Sequence, residues 1–270
     1  MTASLTFNPF QQKFRSNVLI LGTIKQLQLK NNVNLEKVQV LNSLSAPLFK
    51  NNFLNSFQQQ HGDSLITLAK LKAEKTRNGY LMRTDLVKEI LEKFAPASLT
   101  ELDIIFLLDS EVQALTAVQA ICTHFSLYDR TTSPKDAAKS VNVSFITLDE
   151  SVVDYEKLRV LSQGIRLAAR LTDMPASELN TQTYVEEVNA VYKDLVSKGF
   201  KNLNLEVIKG EELKAKGLGG IYGVGKAAEF PPALAILSFK PENAKRTMAW
   251  VGKGIVYDTG GLSIKVPPNM

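Results

Sequence analysis

The stretch Leu102–Phe125, LDIIFLLDSEVQALTAVQAICTHF, changes periodicity once, and that change decides the fold. Leu102–Leu108 is an apolar run of strand length. From Glu111 to Phe125 the apolar positions Val112, Leu115, Val118, Ile121 and Cys122 return every one to three residues on one side, which predicts a helix. Val141–Leu148 goes back to strand character. Strand, helix and strand in this order make a βαβ unit, so the chain is expected to be α/β.

Outward from this unit, Asn17–Leu21 is an earlier strand, and Ser133, Pro134 and Lys135 form a loop inside the unit. The polar turn Asp149, Glu150 and Ser151 precedes a longer helix, Asp154–Leu171, with Leu158, Leu161, Ile165, Leu167 and Ala168 on roughly one side. Met174 and Pro175 end it. A domain boundary is therefore expected near 150. Residues 1–150 would form an N-terminal α/β domain and 151–270 a second one, entered through a linker helix at about 154–172. In the second, Thr183–Val196 reads as a helix capped by Thr181 or Thr183, Leu203–Ile208 as a strand and Glu211–Lys216 as a short helix. Ala233–Phe239 and Thr247–Val251 read as strands of one sheet, which makes Trp250 a core residue.

Composition narrows the function classes. A hydrophobic fraction of 44% and a charged fraction of 22% in 270 residues describe an ordinary globular chain rather than a disordered one. The net charge of +5 is dispersed among acidic residues without a basic stripe, which argues against nucleic acid as partner. No apolar stretch reaches the roughly 20 residues that span a bilayer. Met1–Phe14 lacks the basic start and apolar block of a secretory signal, so a cytoplasmic, membrane-free protein is expected. Cys122, the single cysteine, sits in the apolar run Ala117–Phe125 and reads as a buried thiol in a reducing compartment. His61 reads as a surface-loop residue and His124 as a helix residue, and two histidines so far apart make no metal motif.

Two glycine patterns mimic nucleotide sites. Gly220–Lys226 fits G-x-x-x-x-G-K, but Ala227 stands where a magnesium-binding Ser or Thr belongs, and a helix rather than a strand precedes it. Gly223, Gly225 and Ala228 fit G-x-G-x-x-A, but Phe230, Pro231 and Pro232 stop the helix that should follow. A tight turn with positive-φ glycines and close backbone packing is the preferred reading.

The chemistry lies in Trp250–Lys265, WVGKGIVYDTGGLSIK. Gly252 and Gly254 flank Lys253, and Gly260 and Gly261 allow a sharp turn directly after Asp258, so Lys253, Asp258 and Lys265 are able to meet. Asp258 offers hard oxygen ligands to a divalent cation, and an ammonium beside it stabilises a developing oxyanion. A lysine ligates a metal only as the neutral amine. Spacing alone equally describes a strand and turn with a surface Lys–Asp ion pair, which is the commoner arrangement.

These sixteen residues resemble the catalytic-domain signature of the leucyl aminopeptidase family, the M17 metallopeptidases, which runs VGKG, then (F/Y)D(S/T)GG, then LS(L/I)K. Ala169–Leu179 and Gly217–Pro232 are similar to two further family stretches in the same order, so the resemblance covers about Arg166–Lys265. The wording GLGGIYGVGKAA is similar to the family's probable-aminopeptidase branch.

The resemblance implies an N-terminal α/β domain followed by the first part of an α/β metallopeptidase catalytic domain. It further implies release of N-terminal amino acids, leucine-type, from peptide substrates at a site with two divalent metal ions, Zn2+ or Mn2+. In it Lys253 ligates one ion, Asp258 bridges both, and Lys265 polarises the peptide carbonyl as the catalytic residue. A homo-oligomer, a hexamer in the family, is implied as well. The family places a further Asp ligand and an N-T-D-A-E-G-R motif downstream, and neither precedes Met270. The expectation is an incomplete site, no activity for these 270 residues alone, and a first domain that folds better by itself than 151–270 does. The alternative is a non-catalytic short form acting through assembly or binding by its N-terminal domain.

Overall fold

Contacts divide the chain into two compact units, Met1–Asp173 and Met174–Met270. A computed structural model describes residues 3–11, 14–23, 26–27, 56–72, 82–95, 99–128, 140–257 and 266. The loop expected at Ser133–Lys135 lies outside these residues.

In the first unit, strands β1 (Ser4–Phe7), β2 (Asn17–Thr23), β3 (Ser56–His61), β4 (Ser64–Leu71), β5 (Glu101–Leu108) and β6 (Ser140–Thr147) form one sheet in the order β1-β6-β5-β2-β4-β3. All neighbours are parallel except β3 and β4, a hairpin whose turn holds Gly62 at φ 57°. Every residue of β5 after Glu101 is buried. Leu102, Ile104, Phe106 and Leu108 join one apolar cluster, and Ile105 and Leu107 join a second with Val18, Ile20, Ile66 and Leu68. A period of two divides these side chains between the faces, and parallel sheets bury both.

Helices α1 (Thr84–Phe94), α2 (Val112–His124) and α3 (Tyr155–Asp173) all contribute to the first cluster. In α2, Val118, Ile121 and Cys122 face the core as expected, but Val112 and Leu115 are exposed. Ala114, Ala117 and Ala120 are buried in their place, because small side chains let a helix lie close to a sheet. Helix α3, read as a linker, lies within the first compact unit, which runs to Asp173. Leu158 is buried in the core, Leu161 and Ile165 pack against it, and the Tyr155 hydroxyl accepts from the Phe145 backbone N–H at 3.1 Å.

The second unit holds α4 (Thr181–Ser197), β7 (Leu203–Lys209), α5 (Glu211–Ala215), α6 (Gly219–Gly225) and β8 (Ala233–Phe239), with β7 and β8 antiparallel. The cap of α4 is Asn180 rather than either threonine. Its side chain accepts from Thr183 N at 3.1 Å, and the Asn180 N–H donates back to Thr183 Oγ1 at 2.9 Å, a reciprocal capping box. The glycine-rich stretch is mainly the helix α6 and not a turn; within it only Gly217, ahead of the helix, has positive φ, at 76°. Close packing does hold at Gly225, where a Cβ would lie 2.4 Å from Pro232 Cβ.

Thr247–Val251 is not a strand. Among the described residues β8 pairs with β7 alone, and a strand without a ladder partner leaves its backbone groups to water. Trp250 is accordingly 90% exposed and not a core residue.

Candidate functional site

Strand β8 ends at Phe239, whose ring meets Phe200 edge-on at 5.9 Å, and Lys240 N–H closes the β7–β8 ladder on Asn202 O at 2.9 Å. A turn follows in which Ala244 N–H donates to Pro241 O at 3.1 Å, and residues 245–257 then run without regular secondary structure. Lys253 lies here, exposed. A Cβ on Gly252 or Gly254 would meet nothing within 4 Å, so both flanks of the lysine are open. Asp258, Gly260, Gly261 and Lys265 lie outside the described residues. Of the three expected site residues, Lys253 alone is among the described ones.

Among the described residues, no group of three or more His, Cys, Asp or Glu is arranged to hold a metal ion. Charged clusters near β7 are solvated pairs: Lys216 Nζ lies 3.1 Å from Glu206 and 3.5 Å from Glu212. The hydrogen bond to Glu206 raises the lysine pKa. The Tyr222 hydroxyl donates to Glu211, which raises the phenol's pKa.

Two arrangements in the first unit went unread in the sequence. Asp103, the one charged residue inside the apolar run of β5, is 6% exposed. It accepts from Arg15 N–H at 3.0 Å, lies 3.4 Å from Arg15 Nε and accepts from Asn142 Nδ2 at 3.4 Å. Arg15 Nη1 donates to Ser140 Oγ at 2.8 Å, and Asn8 Nδ2 donates to Asn142 Oδ1 at 3.1 Å. A cavity of about 140 Å³ adjoins this network. Its groups satisfy one another, so its evident role is to fasten the segment before β2 to the sheet, and an isolated acid in a strand was its only sequence signal.

The second arrangement is a pair of arginines on α3. Arg159 Nε donates to Phe7 O at 3.1 Å, and Arg166 donates from Nη2 to Ala3 O at 2.6 Å and from Nε to Phe125 O at 3.1 Å. Cys122 is buried as expected, and burial pushes its thiol up to about 11, which removes it as a nucleophile near neutral pH. His61 is exposed at the end of β3, and the ring of His124 stands edge-on to Phe125 at 4.7 Å.

Residues 166–270 match the catalytic domain of the cytosol aminopeptidase family. The human protein named probable aminopeptidase NPEPL1 is 51% identical over 137 residues, covering 49% of this chain and 25% of that protein. Leucine aminopeptidase 1 of Caenorhabditis elegans is 39% identical over 158 residues, covering 58% and 30%. The solved structure of the C. elegans leucine aminopeptidase LAP1 superposes with a TM-score of 0.80 at 27% identity, over 99% of this chain and 55% of that one. Leucyl aminopeptidase from Leishmania major shares the fold, with a TM-score of 0.78 at 24% identity. The chain thus spans a quarter to a third of these curated relatives and about half of the solved chains. The mixed α/β architecture with its mainly parallel sheet is theirs as well. Residues 166–270 thus match the cytosol aminopeptidase family, the M17 metallopeptidases, and along nearly its whole length the chain is similar in fold to a leucine aminopeptidase 27% identical to it.

Proposed function

We propose that the chain carries the N-terminal domain and the leading part of the catalytic domain of a metal-dependent aminopeptidase that releases N-terminal, leucine-type residues from peptides. The observation that carries this reading is the family match over 166–270, which contains the whole Trp250–Lys265 signature. Members of the family are metal-dependent. In the proposed site Lys253 and Asp258 would supply ligands to two divalent ions, Zn2+ or Mn2+, which when bound would supply Lewis-acid chemistry to the attacking water. Lys265 donates a hydrogen bond to the carbonyl oxygen of the first peptide bond and stabilises the charge that builds there. The family match begins inside α3, which supports reading that helix as the join between an N-terminal α/β domain and a catalytic portion at 151–270. A cytoplasmic homo-oligomer, hexameric as the resemblance implies, completes the reading. Among the described residues no helix is long and apolar enough to cross a membrane.

The test is a graft. Residues 250–265 of this chain replace the matching segment of the C. elegans leucine aminopeptidase, and hydrolysis of a leucyl anilide is followed with Mn2+ or Zn2+. The expected result is retained activity that Asp258→Ala and Lys265→Ala each abolish. A folded graft without activity would show that this segment is not catalytic here.

A further inference from the structure

Beside β1 lies a groove of about 510 Å³, within the roughly 300–1,000 Å³ usual for ligand clefts. Ser4–Asn8 form one wall, and Arg159, Ser162, Gln163 and Arg166 of α3 form much of the other. The four consecutive residues of β1 cannot all face a cavity from one side of a sheet, because successive side chains alternate, so the groove follows the strand's edge. The ladder agrees. Thr6 pairs with Asn142, and Asn8 N–H donates to Val143 O, which turns the even-numbered backbone groups of β1 toward β6. The backbone groups of Ala3, Leu5 and Phe7 then point outward, and two of these carbonyls, Ala3 and Phe7, are the ones held by Arg166 and Arg159. The Leu5 N–H and C=O and the Phe7 N–H have no hydrogen-bond partner among the described residues.

The charge of the groove is one-sided. Among the described residues that line it, none is acidic. Arg159 has one ion pair, to Glu156 at 2.8 Å on the helix surface. Arg166 bonds to carbonyl oxygens alone and has no carboxylate partner among the described residues. Burial, which disfavours the charged form, presses its pKa downward.

We propose that the groove between β1 and α3 is a docking site for an extended, acidic segment of a partner protein, which adds a strand beside β1 and sets its carboxylates against Arg159 and Arg166. Edge-strand addition supplies main-chain hydrogen bonds at Leu5 and Phe7, and the arginines select acidic side chains. The four residues of β1 span about 13 Å at about 3.3 Å each, so the recognised segment is of similar length.

The test uses the full chain and two fluorescent synthetic pentapeptides of alternating sequence, Glu-Val-Glu-Val-Glu and Lys-Val-Lys-Val-Lys. Fluorescence anisotropy should show saturable binding of the acidic peptide only, weakening with added salt. Amide hydrogen exchange should slow at Leu5 and Phe7. Gln163→Glu, which adds a like charge to the wall without touching either arginine clamp, should weaken binding about tenfold or more, and Gln163→Lys should tighten it. Equal binding of both peptides, protection at β3 instead of β1, or no binding at millimolar peptide would each overturn the proposal.

Discussion

Arg166 of α3 donates from Nη2 to the carbonyl of Ala3, 2.6 Å away and 163 residues earlier in the chain, while its Nε donates to the carbonyl of Phe125 at 3.1 Å. One guanidinium therefore joins the residue before β1 to the residue after α2. Arg159, two helical turns earlier, holds Phe7 O and Asn8 Oδ1 in the same way. Strand β1 is short and lies at the sheet edge, so these side chains hold what a single ladder with β6 would leave loose.

Arg166→Ala should free β1. Two carbonyl acceptors lose a charged donor, at a cost of about 2 kcal/mol. Amide exchange in Ser4–Phe7 is expected to accelerate while β2 and β5 stay protected. Unchanged protection of β1 would show that pairing with β6 is sufficient.

Gly225→Ala should destabilise the second unit, because the new Cβ would stand 2.4 Å from Pro232 Cβ and 2.9 Å from its Cγ. Relief requires shifting a proline ring fixed just before β8, a cost of about 1–3 kcal/mol for an overpacked contact. Gly223→Ala in the same helix meets nothing within 4 Å and should be neutral or stabilising by up to about 1 kcal/mol through helix propensity. Chemical denaturation followed on the second unit separates the two variants.

The thiol of Cys122 sets an alkaline limit. Its pKa rises from an ordinary 9.0 to about 11, because burial disfavours the thiolate, with Arg166 acting weakly in the other direction. The unfolded chain gives up this proton near pH 9 and the native chain near 11. The contribution to stability is therefore intact below pH 9 and is lost progressively between pH 9 and about 11. Cys122→Ala should flatten that part of the stability–pH curve, and a thiol reagent at pH 8 should label the native protein only as fast as it opens.

Proteolysis should cut the second unit first. Of the described buried hydrophobic residues, only Leu179, Ile208 and Leu213 lie beyond Asp173, and α4 buries none of its side chains. Trp250 and Val251 are 90% and 97% exposed. A fragment ending near Asp173 is the expected resistant product of brief trypsin treatment. Survival of Met174–Met270 as the longer-lived piece would contradict the burial pattern.

Local pattern was enough for β2, β5, β6, α2 and α3, because a central parallel strand and a sheet-covering helix bury faces whose period is written in the order of residues. The family segment was equally legible, since Lys253, Asp258 and Lys265 and the glycines around them are adjacent in the chain. What tertiary structure decided depends on neighbours far away in sequence. It turned Ala114, Ala117 and Ala120 rather than Val112 and Leu115 to the core, and it coiled Gly219–Gly225 into a helix against expectation. It left Thr247–Val251 without a ladder partner among the described residues, so that Trp250 is on the surface. It also set Arg159 and Arg166 over carbonyls more than a hundred residues earlier, contacts that no periodicity encodes because hydrogen bonds to backbone carbonyls carry no side-chain signature.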